Sequence, residues 1–165
     1  MLEGLSEDEG APDVVVPRAS LVLPGGPRAA AIWMGGARAL RGDEVRPSDL
    51  AGGWLVDAAG DMAAAHRAVA ARAIDCVFAD NEETPPGFQR VQELVREISA
   101  AATSGGPLAI YLVCSQGLNR SGLLTGLVLR QMGFSANDTV ARIRAARPGS
   151  LANHAYERLI HEARP

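Results

Sequence analysis

Residues 108–122, Leu-Ala-Ile-Tyr-Leu-Val-Cys-Ser-Gln-Gly-Leu-Asn-Arg-Ser-Gly, constrain the fold of this 165-residue chain more than any other stretch. An apolar run stops at Cys114, and a short polar loop containing Gly117 follows. Arg120 and Ser121 then open a second apolar run, with Leu123, Leu124, Leu127 and Val128 at helical spacing. A buried strand that turns through a tight loop into a helix is a local unit of an α/β domain. It also sets the Cys114 thiol beneath the N–H groups of a helix N-terminus, with the Arg120 guanidinium alongside. Such an end attracts anions, because its first N–H groups lack intrahelical partners and the helix dipole is positive there. The same field favours thiolate over thiol, which makes Cys114 a candidate nucleophile at the floor of an anion cradle.

The remaining chain interleaves strand and helix signals. Ser20–Pro24 and Ala29–Met34 are short apolar runs bounded by Gly and Pro, as in an edge hairpin or two edge strands. Arg46-Pro47-Ser48-Asp49 has the composition of a turn, or of the first turn of a helix. Trp54–Ala58 reads as a core strand, alanine-rich Met62–Ala73 as a helix on propensity, and Ile74–Ala79 as a strand that ends at Asp80. After Pro85-Pro86-Gly87, the residues Phe88, Val91, Leu94, Val95 and Ile98 mark one face of a helix that Ser104-Gly105-Gly106-Pro107 stops. Gly133 ends the helix behind the loop, and Ser135 with Asp138 begins the next in the manner of a capping box. The expected architecture is a central, mostly parallel sheet flanked by helices, with the anion loop between a central strand and a helix. A flexible acidic leader, residues 1–17, would precede a single domain over 18–165.

Composition narrows the function classes. Hydrophobic content of 47% and charged content of 21% suit a globular protein. No apolar run reaches membrane-spanning length, and an acidic start does not resemble a signal peptide. Two cysteines argue against a disulfide framework and fit a reducing compartment, the cytoplasm. Residues 1–13 hold five acids and no base, whereas Cys114 onward holds seven Arg against three acids. That half would steer a phosphorylated substrate modestly; each Arg other than Arg120 is as readily read as solvated helix surface. His66, His154 and His161 fall on helical stretches without metal-ligand spacing, and no metal or other cofactor is expected.

Cys114-Ser115-Gln116-Gly117-Leu118-Asn119-Arg120-Ser121-Gly122 resembles the signature loop of the cysteine-dependent protein tyrosine phosphatases, closest in style to their small dual-specificity branch. Ser135–Val140 through Ile143-Arg144-Ala145-Ala146-Arg147-Pro148 resembles the helix and Arg-Pro ending that follow the loop in that branch. Leu151-Ala152-Asn153 with Tyr156 resembles its last helix. The likeness is good over residues 74–160 and loose over 18–60. It implies that Cys114 attacks phosphorus and forms a cysteinyl-phosphate, and that Ser115, Gln116, Gly117, Leu118, Asn119 and Arg120 hold the phosphoryl oxygens. Ser121 would stabilise the departing thiolate. Phe78-Ala79-Asp80 followed by Glu82-Glu83-Thr84-Pro85-Pro86 resembles the family's proton-donor loop and nominates Asp80 as general acid, with Glu82 and Glu83 as nearby substitutes.

The substrate class so implied is phosphotyrosine, with phosphoserine and phosphothreonine, in proteins. Gly117–Ser121 also resembles the loop of RNA 5′-triphosphatases. Against RNA, aromatics make up only 4% of the chain and no strong basic stripe is present. The family usually has His before the nucleophile; here Val113 stands there and cannot hydrogen-bond through its side chain. Reduced activity, or a phosphate-binding pseudophosphatase, follows as an alternative. Cys76, on a strand expected beside the loop strand, is either a small core residue or a disulfide partner that protects Cys114 from oxidation.

Overall fold

The computed structural model describes residues 19–36 and 50–164. The expected leader and the Arg46–Asp49 turn lie outside the described residues. Five strands are present among them: β1 (Ser20–Leu23), β2 (Ala31–Gly36), β3 (Trp54–Asp57), β4 (Arg72–Asp75) and β5 (Ala109–Cys114). Five helices accompany these: α1 (Ala64–Val69), α2 (Phe88–Ala102), α3 (Arg120–Gln131), α4 (Ala136–Ala146) and α5 (His154–Glu162). The strands form one sheet in the order β1-β2-β5-β3-β4, parallel throughout except for antiparallel β1 against β2. The expected α/β architecture is present, and the strand that ends at Cys114 is the central one.

Side-chain alternation along β5 sorts the core into two faces. Ile110, Leu112 and Cys114 join the main cluster with Ile32, Met34, Val56 and the buried residues of α2–α5. Tyr111 and Val113 point the other way, into a smaller cluster with Leu50, Leu55 and Met62, where Tyr111 stacks on Trp33. Helix α3 packs against β5, β2, α2, α4 and α5, so Ser121 through Leu129 are all buried rather than one face of them. Its end at Gly133, with φ 108°, and the cap on α4, where Ser135 Oγ accepts the Asp138 N–H at 3.1 Å, match expectation.

Two expected strands need correction. Ala29–Met34 is not an edge strand: β2 pairs with β5 from Ala31↔Ala109 to Gly36↔Cys114, and only β1 lies at that edge. The alanine-rich helix is shorter, because Arg72 and Ala73 join a parallel ladder with Trp54 and Leu55. Tertiary pairing overrides alanine's helix propensity there. Strand β4 therefore ends at Asp75, and Cys76 to Asp80 continue as irregular chain. Strand β3 also separates β4 from β5, so the Cys76 segment does not neighbour the loop strand.

Candidate active site

The loop leaves β5 at Cys114, which is 3% exposed, and enters α3 at Arg120. Gly117 takes φ 80°, and a Cβ there would lie 2.4 Å from the Gly35 carbonyl carbon. Reciprocally, a Cβ on Gly36 would lie 2.5 Å from the Gln116 carbonyl carbon. Only glycine on both sides lets the loop press against the end of β2.

The loop's orientation is set from behind by the turn after α4. Arg147 donates through Nε to the Gly117 carbonyl at 2.8 Å and through Nη2 to the Gln116 carbonyl at 3.2 Å. The Leu151 N–H reaches the Leu118 carbonyl at 3.2 Å. Three successive carbonyls thus face the turn. In a trans peptide the following N–H points the opposite way, so those of Gly117, Leu118 and Asn119 are directed away from it. The Gly117 N–H donates to Cys114 Sγ at 3.2 Å, and Ser121 Oγ lies 3.4 Å from the same sulfur.

Arg120 donates through Nη1 to the Phe78 carbonyl and through Nη2 to Ser115 Oγ, each at 3.2 Å. Its Nε is buried and has no hydrogen-bond partner. A buried guanidinium N–H without a partner is costly, which marks this edge as suited to an anion. The adjoining pocket, about 260 Å³, is lined by Asp80, Cys114, Ser115, Gln116, Leu118, Asn119 and Arg120.

Asp80, brought here from the far side of β3, has both carboxylate oxygens engaged. Asn119 Nδ2 donates to Oδ2 at 3.0 Å, and Asn153 Nδ2 donates to Oδ1 at 2.9 Å. Asn153 itself caps α5, its Oδ1 accepting from Ala155 N and Tyr156 N. The Tyr156 hydroxyl donates to the Ala79 carbonyl at 2.9 Å, steadying the residue before Asp80; burial is the main cause that pushes its phenol pKa up. Glu82 and Glu83 are exposed and do not line the pocket.

Every candidate loop residue and Asp80 therefore meet at one pocket, except that Gly117 and Ser121 contribute from beneath it. Sequence reading missed the supports. Arg147, read as surface as readily as steering charge, is fully buried, and the Arg-Pro ending was the signal that could have found it. Asn153 stood in a recognised segment but without a role. Asp61, whose carboxylate accepts the Ser115 hydroxyl, carries no signal at all in the sequence. Val113 is wholly buried on the opposite sheet face from Cys114. Among the described residues, no His, Cys, Asp and Glu cluster could hold a metal, and no helix is long and apolar enough to cross a membrane.

The fold is that of the dual-specificity and tyrosine phosphatases. Human tyrosine phosphatase-like serine/threonine/tyrosine-interacting protein superposes with TM-score 0.63 at 15% identity, covering 89% of this chain and 95% of that one. A human DUSP28 variant gives 0.61 at 16% identity over 89% and 96%. The Yvh1 phosphatase domain of Chaetomium thermophilum gives 0.56 at 16% over 87% and 92%. By sequence, the chain is 35% identical over 79 residues to the tyrosine-protein phosphatase CDC14 of Candida albicans, a match over 47% of this chain. It spans 14% of that protein's length. No family model matches the chain.

Proposed function

We propose that this protein is a metal-independent phosphoric monoester hydrolase that removes phosphate from phosphotyrosine, and from phosphoserine or phosphothreonine, in proteins. The observation that carries this reading is the loop's polarity. Carbonyls of residues 116–118 are tied to Arg147 and Leu151, and the N–H groups that follow point away from those partners, that of Gly117 onto the Cys114 sulfur. Preorganised donors of this kind stabilise phosphoryl charge without rearrangement during reaction.

The Cys114 thiolate attacks phosphorus, the S–P bond forms, and the bond to the leaving oxygen breaks as Asp80 protonates it. Water then attacks the cysteinyl-phosphate, Asp80 takes its proton, and the S–P bond breaks. Ser121 Oγ stabilises the returning thiolate. Arg120 supplies Nε and a second N–H to two phosphoryl oxygens, a bidentate grip that neutralises charge as a metal otherwise would. Free Cys76 and Cys114 support a reducing compartment, the cytoplasm.

Turnover of an aryl phosphate, inhibition by vanadate and loss of both turnover and burst in Cys114→Ser test the reading. Full activity in Cys114→Ser overturns it. Phosphopeptides, RNA 5′-triphosphate and an inositol phosphate assayed together assign the substrate; the phosphopeptides should be hydrolysed best.

A further inference from the structure

The buried carboxylate of Asp57 gathers the chain that leaves β3. Its Oδ1 accepts the N–H groups of Ala59 at 3.1 Å and Gly60 at 2.8 Å, and its Oδ2 that of Met62 at 3.0 Å. Arg67 Nη2 binds the same Oδ2 and Asp75 Oδ1, each at 2.7 Å. Four donors on one carboxylate define the path of residues 58–62 and deliver the exposed Asp61 to the phosphate loop, 54 positions away in sequence from Ser115. There the Ser115 hydroxyl donates to Asp61 Oδ2 while its oxygen accepts from Arg120 Nη2 at 3.2 Å.

A hydroxyl has one proton. With that proton given to Asp61, Ser115 can only accept from the arginine. We propose that Asp61 is a positioning residue for the phosphate site, acting through Ser115 to fix the plane of Arg120 so that its Nε edge faces the bound oxyanion. Phe78 holds Nη1 and Ser115 holds Nη2, so the guanidinium is pinned at two points, with Nε left for the ligand. This role rests on the phosphatase reading and adds a residue from a segment outside the loop and the acid.

The sign of an oxyanion-binding change separates this role from that of a bystander. A bystander carboxylate near an anion site weakens binding by repulsion, so its removal tightens binding. A positioning carboxylate does the reverse. Tungstate binding to the full chain, by calorimetry, is the readout, with the melting temperature as a folding check. Asp61→Ala is expected to weaken tungstate about five-fold, the equivalent of one ordinary hydrogen bond, and to raise KM for an aryl phosphate more than it lowers kcat. Asp61→Asn keeps an acceptor for Ser115 and drops the charge, so it should bind tungstate at least as well as the wild type. In a Ser115→Ala background, Asp61→Ala should cause no further weakening. Unchanged or tighter binding by folded Asp61→Ala, beside a wild type that binds tungstate, overturns the role of Asp61 alone. A wild type that neither binds tungstate nor hydrolyses the aryl phosphate overturns the phosphatase reading, and this role with it.

Discussion

Arg147 Nε donates to the carbonyl of Gly117 at 2.8 Å from a fully buried side chain, 30 residues after the loop it supports. The bond fixes the direction of the Gly117–Leu118 peptide, and Nη2 of the same side chain holds the preceding Gln116–Gly117 peptide, whose N–H donates to the Cys114 sulfur. Removing the guanidinium leaves the Gln116 and Gly117 carbonyls unpaired, and Ser20 Oγ loses its Nη1 donor at 3.2 Å. Arg147→Met should lower stability by about 3 kcal/mol and reduce aryl phosphate turnover at least ten-fold, measured by denaturant unfolding and steady-state kinetics. Arg147→Lys should rescue little, because one ammonium cannot span two carbonyls in the guanidinium's planar geometry.

Asn119 and Asn153 hold one Asp80 oxygen each. If Asp80 is the general acid, Asp80→Asn should lower kcat for a poor leaving group by about 10²–10⁴-fold. Asn119→Ala should lower it less and leave KM nearly unchanged, and in the Asp80→Asn background it should add nothing. Asn153→Ala should also cost about 1 kcal/mol of stability, since the same side chain caps α5.

Gly117 and Gly133 both have positive φ, but only the first is enclosed. A Cβ at 117 meets the Gly35 carbonyl carbon at 2.4 Å, whereas at 133 nothing lies within 4 Å. Gly117→Ala should abolish tungstate binding and lower the melting temperature well beyond Gly133→Ala, which should cost about 1 kcal/mol of backbone strain.

The two thiols should differ in reactivity. Burial pushes the Cys76 pKa up, against a weaker opposing pull from Arg90. A raised thiol pKa keeps Cys76 protonated at neutral pH, so iodoacetamide at pH 7 should label Cys114 before Cys76 in a peptide mass spectrum. The protonated form is favoured in the folded state. The associated stability is complete below the ordinary thiol pKa of about 8.5 and declines as pH rises toward the folded value. Unfolding midpoints measured from pH 8 upward should fall faster in wild type than in Cys76→Ala.

What could be read in advance follows from how locally each feature is encoded. The unit β5–loop–α3 was legible because strand, glycine and helix are contiguous and each supports the next. The Ser135 cap was legible for the same reason. Strand β4 was misplaced because Ala70, Ala71 and Ala73 favour a helix, while the parallel partner that decides otherwise, β3, is non-local. The interior place of β2 was hidden by its glycines, which look like turn residues until Gly35 and Gly36 are seen against Gln116 and Gly117. Asp61 is one acid among 19, and only the turn around Asp57 gives it a target.

The outward carbonyls of residues 116–118 have a consequence for how this chemistry can be moved or lost. The nine residues Cys114–Gly122 carry the thiol and the guanidinium but not the instruction for which way their peptides face. Transplanted alone onto another strand–helix junction, they would bring a thiol and a guanidinium without an oxyanion nest. A graft should succeed only when the Arg147–Asn153 turn travels with them, and substitutions that disable the anion cradle itself should fall not only in the loop but also in the segment that contributes Arg147 and Leu151 from behind it.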